Sequence, residues 1–389
     1  MAPANAPQIL ISAGEASSDM YAARLATALR ERTGAHLFGM GGAKMREAGV
    51  ELLADASEIA VVGITEVIRK LPAVWSAWRK LEREAARRKP ALAITVDSPG
   101  FNFGLARRLK KHGVRIVYFI SPQIWAWRPR RMKWIQRRFE RVLVIFPFEE
   151  AIYRKAGVKA DFVGHPLVDS VRAKMTRKEF ARSLGLDATK PIVAVLPGSR
   201  RSEIGRSMPM IAEACDRVQS VGAQFVVALA EGIEREEIEK YARGGLKLAV
   251  AEGATYDALA AADCAIVSSG TATVEAALLE TPMVIVYRVS RITAGIARRL
   301  VKTRFFGMVN LISSEQVAPE LIQDAFTAKA LETELRRLLE SREAREQQKG
   351  KLAGVHAKLG PGGAIERAAE IIAEMTGCAE RREQLHKAV

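Results

Sequence analysis

Ten short apolar runs, nearly all followed at once by small or turn-forming residues, set the limits on what this chain can fold into. They are QILISAG (8–14), AHLFGMGG (35–42), ALAITVDSPG (91–100), VRIVYFISP (114–122), RVLVIFPF (141–148), PIVAVLPGS (191–199), QFVVALA (224–230), LKLAVAEG (246–253), CAIVSSG (264–270) and MVIVYRV (283–289). Runs of this length bounded by turn signals read as buried strands. The segments between them favour helix, and strands alternating with helices predict a parallel sheet covered on both faces. Ligands of such sheets bind beyond the carboxyl ends of the strands. In the first series Glu15, Asp97, Asn102, Ser121 and Gln123 fall there.

The runs form two series separated by a polar, charge-mixed connection near 165–190. With 389 residues available, two α/β domains are expected: residues 1–170 and residues 171–359, both doubly wound and facing each other across a cleft. Beyond about residue 328 the pattern is helical and rich in Glu, Arg and Ala. Residues 360–389 either return to complete the first domain or exchange between two copies, which leaves a homodimer open.

The formal charge of +16 favours an anionic partner: phosphorylated substrates, an acidic lipid surface or nucleic acid. Between Phe101 and Glu140 there are eleven Lys or Arg and a single acid. A nucleic-acid partner is disfavoured, because no binding motif is present and the aromatics are not interleaved with the basic run for stacking. No apolar run reaches the roughly 18 residues of a membrane span. The N-terminus lacks a basic n-region and an apolar h-region, so no secretory signal is expected. Three widely spaced cysteines without metal-ligand spacing point to a reducing cytoplasm and no metal site.

The stretch SSGTATVEAALLETPMVIVYR (268–288) carries the most chemistry. A strand, a small-residue turn and a helix beginning there bring unpaired N–H groups and the positive end of a helix dipole to one point, which favours a phosphate. Ser269, Gly270, Thr271, Ala272 and Thr273 form that point, and Glu275 lies one turn on, within reach of ribose hydroxyls. An ordinary α/β turn with an exposed Glu has the same pattern. LPGSR (196–200) repeats the logic: Ser199 and Arg200 close a strand, and the forked donors of Arg200 suit a diphosphate. There is no GxxxxGK[ST] motif, so phosphate-loop NTPase chemistry is disfavoured.

Taken together, SAGEASSD (12–19), DSPGFN (97–102), ISPQIWAW (120–127), FPFE (146–149), FVGHPL (162–167), LPGSR and SGTATVEAALLETPMVIVYR resemble the lipid-A-disaccharide synthases, inverting glycosyltransferases of the two-domain GT-B type. The resemblance spans the chain with the motifs in family order. It implies transfer of 2,3-diacylglucosamine from UDP-2,3-diacylglucosamine to 2,3-diacylglucosamine 1-phosphate, giving a β-1,6 disaccharide and UDP, without a cofactor. It implies a catalytic base, for which Asp97 and Glu15 are the candidates. Many relatives carry a second Asp in a D-x-P-D-F-N pattern, where this chain has Gly100. Arg200 would neutralise the departing UDP, helped by the 269–273 amides. Glu275 would bind ribose, and Asn310 would reach into the cleft. Asp97 also suits a helix cap, and His165 a structural loop position.

The segment 59–78 (IAVVGITEVIRKLPAVWSAW) is more apolar than one helix face requires and runs into a basic stretch. It reads either as a core helix with a solvated end or as a peripheral docking face for an anionic bilayer. Since the implied substrates are acylated, Ile64, Val67, Trp75, Asn102, Gln123 and Trp125 become the expected acceptor and acyl groove. Trp125 and Trp127 also suit packing roles. The resemblance thus implies a cytoplasmic enzyme touching the inner membrane. The alternative is another UDP-sugar GT-B enzyme: a peptidoglycan-precursor N-acetylglucosaminyltransferase or a UDP-N-acetylglucosamine 2-epimerase.

Overall fold

The computed structural model describes residues 6–59, 64–122, 131–243, 245–290, 294–295 and 304–377; the side chains of residues 16, 59 and 64–69 fall outside it. The chain divides into two compact units, Met1–Pro166 with Gly360–Val389, and Leu167–Leu359.

The first unit is built on seven parallel strands: β1 (Gln8–Ala13), β2 (His36–Gly41), β3 (Glu51–Asp55), β4 (Leu92–Val96), β5 (Ile116–Phe119), β6 (Arg141–Val144) and β7 (Ala160–Phe162). Their order is β3-β2-β1-β4-β5-β6-β7. The chain winds outward from β1 through β2 to β3, then returns to start again beside β1 at β4, so the winding reverses between β1 and β4. Central strands such as Leu92–Val96 are buried along their whole length, as helices on both faces require. Helix Ile64–Arg88 covers one face, packing Trp78 against Phe101 at 5.6 Å. That approach depends on Gly104, because a Cβ there would overlap the Trp78 ring. The C-terminal helix Ala364–Met375 packs on helix Ala16–Thr33 of the same chain. Arg367 secures it by donating to the Val163 carbonyl through Nε at 3.0 Å and Nη2 at 2.7 Å.

The second unit has six parallel strands: β8 (Ile192–Leu196), β9 (Gln224–Leu229), β10 (Leu248–Glu252), β11 (Cys264–Ser268), β12 (Met283–Tyr287) and β13 (Glu320–Ile322), in the order β10-β9-β8-β11-β12-β13. The same winding gives a reversal between β8 and β11. Both units are thus doubly wound α/β, as the alternating pattern predicts. The free thiols Cys215 and Cys264 are buried here. Among the described residues, no helix is long and apolar enough to cross a membrane.

Candidate active site

Each unit gathers its candidate residues at its own winding reversal. In the first unit Ala13 pairs with Val96, so the chain leaves β1 and β4 from adjacent points. Glu15 begins the helix after β1. Its N–H donates to Ser18 Oγ at 2.9 Å, and Ser18 Oγ in turn donates to the Glu15 carbonyl at 2.8 Å. After β4 two successive non-glycine residues adopt left-handed backbone, Asp97 at φ 45° and Ser98 at φ 47°. Such positions are disfavoured sterically and persist only where surrounding contacts enforce them.

The contacts here are explicit. The Asp97 carbonyl accepts from Asn102 Nδ2 at 2.7 Å and from the Tyr118 hydroxyl at 2.9 Å. Asn102 Nδ2 also donates to the Val96 carbonyl at 3.2 Å, and its Oδ1 accepts from Ser12 Oγ at 2.8 Å. Ser98 Oγ accepts from the Gly14 N–H at 3.1 Å. Burial, then the Glu15 charge, push the Asp97 carboxyl up to about 6, against a smaller opposing effect of the Ser98 N–H. A carboxylate poised near neutral pH is what general-base chemistry requires.

The structure corrects the reading of Asn102 as a groove residue. It is fully buried, and its amide is committed to backbone and Ser12, so it lies beneath the site. Asp19 and Tyr118 hold local backbone in ways that the motif reading missed. The Asp19 carboxylate accepts the N–H groups of Gly42 at 2.6 Å and Lys44 at 3.0 Å, capping the short helix Ala43–Glu47. Gln123 and Trp125, with Trp127, lie outside the described residues, as do the side chains of Ile64 and Val67. His165 is buried beside Phe146 at 5.3 Å, and burial lowers its pKa to about 3, which keeps it neutral. Trp75 is 48% exposed.

In the second unit Leu196 pairs with Val267, so Ser199-Arg200 and Ser269-Gly270-Thr271 leave neighbouring strands side by side. Arg200 precedes helix Arg201–Val218 and pairs with Glu203 at 2.9 Å. The Ser199 N–H donates to Glu203 Oε2 at 3.2 Å. Helix Thr271–Leu278 starts at Gly270, whose φ of 149° and ψ of −158° few L side chains adopt. Thr273 is buried and caps its own turn, its Oγ1 donating to the Gly270 carbonyl at 2.8 Å. Ala272 is partly buried and Thr271 exposed on the same first turn, whose leading amides have no carbonyl partner within the helix. Glu275 accepts from the Tyr256 hydroxyl at 3.2 Å, and burial raises its pKa.

Asn310 does not reach outward. It is fully buried, and its Oδ1 accepts the N–H groups of Val317 at 2.7 Å and Ala318 at 2.9 Å. Its Nδ2 donates to Ala318 O at 2.8 Å and Glu320 Oε1 at 2.7 Å. Glu320 receives the N–H groups of Phe306 and Gly307, each at 2.9 Å. Ser269 Oγ donates to the Phe306 carbonyl at 2.9 Å. Asn310 therefore supports the 269–271 turn from behind, through Glu320 and Phe306.

The chain is similar to known proteins over nearly its whole length. Residues 9–374 match the family model described as lipid-A-disaccharide synthetase. The lipid-A-disaccharide synthase of Myxococcus xanthus is 44% identical over 375 residues, covering 95% of this chain and 98% of the relative. That of Geobacter sulfurreducens is 43% identical over 374 residues, covering 95% and 97%. Among solved structures, a UDP co-structure of S. aureus MnaA superposes with a TM-score of 0.66 at 12% identity, covering 96% of this chain and 97% of that one, a likeness of fold alone. With a match running nearly end to end and two doubly wound units of the GT-B type, the chain belongs to the lipid-A-disaccharide synthase family.

Proposed function

We propose that this family member, a glycosyltransferase of lipid A biosynthesis, moves 2,3-diacylglucosamine from UDP-2,3-diacylglucosamine to the 6-hydroxyl of 2,3-diacylglucosamine 1-phosphate. The acceptor oxygen attacks the anomeric carbon as the bond to the UDP β-phosphate breaks, inverting that centre. Asp97 takes the hydroxyl proton. The electron pair of the broken bond leaves on UDP, where Arg200, Ser199 and the amides of residues 270–272 stabilise the developing charge, the Ser269 and Thr273 N–H groups being taken by the Val286 and Gly270 carbonyls. Glu275 receives ribose hydroxyls, with Tyr256 orienting its carboxylate. The peptidoglycan-precursor transferase and epimerase readings are not favoured, since the family match runs through both units.

The observation that carries this mechanism is Asp97: a carboxyl raised to about 6, in enforced left-handed backbone, at a winding reversal. Incubating the purified protein with both acylated glucosamines tests it. Equimolar UDP and disaccharide 1-phosphate are expected; intact substrates after prolonged incubation refute it.

Acylated substrates require access to a bilayer. What supports peripheral contact with an anionic inner leaflet is helix Ile64–Arg88, where Leu71 and Trp75 are 45% and 48% exposed. Arg79 and Arg108 lie over the Trp75 ring at 5.3 and 5.1 Å. Amphipathic aromatics beside guanidinium groups suit an anionic interface. Vesicle flotation is expected to show binding that depends on anionic lipid and weakens in Trp75→Ser. Equal binding to neutral vesicles by both proteins would refute it.

A further inference from the structure

The turn bearing Asp97 is held by side chains that touch no substrate in the mechanism above. We infer that Tyr118, with Asn102, is a positioning residue that holds the left-handed Asp97–Ser98 turn and thereby fixes the Asp97 carboxylate for proton transfer. This rests on the reading of Asp97 as the base.

The geometry is specific. Tyr118 lies on β5 next to β4, paired with Thr95 two residues before Asp97. Its ring is fully buried, 4.8 Å from Phe139 and 6.0 Å from Phe103. Its hydroxyl donates to the Asp97 carbonyl at 2.9 Å. Asn102 adds a second donor to the same oxygen at 2.7 Å. The Asp97 N–H donates to the Phe119 carbonyl at 3.1 Å, so both peptide groups of Asp97 are tied to β5 or the helix that follows. A carbonyl drawn inward by two buried donors fixes ψ at Asp97, and with it the direction in which the side chain leaves the strand end. Without those donors the turn would relax toward ordinary backbone, which L residues prefer.

The carboxyl's environment depends on the same restraint. Among the described residues, the ionisable neighbours from the elements packed against the turn are Glu15 on the helix after β1 and Tyr118 on β5, with Tyr153 and Arg131 acting on Tyr118. Burial and the Glu15 charge raise the Asp97 pKa only while the carboxyl is held in place. A relaxed turn hydrates it and moves it back toward the usual carboxylate range.

Tyr118→Phe keeps the ring and removes the hydroxyl alone. In the full chain, turnover (kcat) is expected to fall about tenfold or more, the loss typical of a displaced catalytic group. KM for the UDP-sugar should stay within about twofold, and the acid limb of kcat/KM should move about half a pH unit or more below its starting point. Asn102→Ala strips bonds from Ser12, Val96 and Asp97 together and endangers folding, so a second measurement replaces it. The pH dependence of the stability difference between Asp97 and Asp97→Asn, taken with and without Tyr118→Phe, reports the Asp97 titration without turnover. The inference is overturned if Tyr118→Phe leaves both kcat and that titration unchanged, or lowers kcat by the same factor when Asp97→Asn is already present. Should Asp97→Asn turn over normally while Tyr118→Phe still shifts the titration, the positioning role stands and the base assignment falls.

Discussion

Replacing Asp97 with Asn should abolish activity while making the protein more stable at neutral pH. Burial, then the Glu15 charge, push the Asp97 carboxyl from 3.8 up to about 6. That difference corresponds to about 3 kcal/mol disfavouring the ionised folded protein. The sign follows from linkage: below about pH 4 Asp97 is protonated both folded and unfolded, and nothing is lost. As pH rises toward 6 the unfolded chain ionises first, so stability drops, and above 6 the full cost is present. The amide of Asn carries no charge and tolerates left-handed backbone. Asp97→Asn should therefore gain up to about 3 kcal/mol at pH 8 and roughly half of that at pH 5. For a unit of this size each kcal/mol is worth about 2–4 °C in melting temperature. Scanning calorimetry at the two pH values, alongside turnover reduced about 10²- to 10⁴-fold with UDP affinity retained, checks both halves. A gain equal at both pH values, or a variant less stable at pH 8, refutes the reasoning about burial. Near-normal turnover refutes Asp97 as base.

The other expected outcomes concern its neighbours. Glu15→Gln removes the charge that helps hold the Asp97 pKa up, so the acid limb of kcat/KM should move to lower pH while turnover persists; loss of turnover instead would make Glu15 the base. Arg200→Ala should cost about 2–4 kcal/mol of transition-state stabilisation, read as kcat/KM, with little change in melting temperature. Gly270→Ala forces a side chain onto a backbone with φ of 149°, and should weaken UDP binding and destabilise the second unit by about 1–3 kcal/mol; calorimetry with and without UDP measures both.

How much of this was legible in the sequence depended on burial. All ten apolar runs contain strands; nine are central, covered on both faces and in need of continuous apolar side chains, and the tenth, β10, is an edge. The strands that the pattern did not announce, β3, β7 and β13, are all sheet edges. Glu51–Asp55 has no buried residue, Ala160–Phe162 one and Glu320–Ile322 none, so nothing demanded an apolar run there. Motif residues were legible by type but not by direction. Asn102 shares a helix stripe with Leu105, Ala106 and Leu109, the spacing of a buried face, and that spacing was the available signal that it points inward. Asn310 carried a weaker signal, sitting between buried Val309 and nearby Ile312 on a six-residue helix. Tyr118, inside the run IVYF, was indistinguishable from a packing aromatic until its hydroxyl was seen to donate to the Asp97 carbonyl.

The two strand-end sites also differ in how they carry their cost. At Asp97 and Ser98 the left-handed backbone belongs to residues with side chains, and a buried network opposes its relaxation; the carboxyl itself is ionised against its surroundings. At Gly270 the unusual backbone belongs to a residue without a side chain, and the space where a Cβ would sit is open. Arg200 is half exposed and paired with Glu203, an arrangement worth no more than about 1 kcal/mol. In the proposed mechanism, exchanging one carboxylate for a diphosphate is therefore an inexpensive step for the second unit. The proposed base is thus fixed and strained, whereas the groups proposed to bind and release a charged product are relaxed and replaceable. This asymmetry is why substitutions around Asp97 should separate activity from stability, and why Arg200→Ala should act almost wholly on the departing nucleotide.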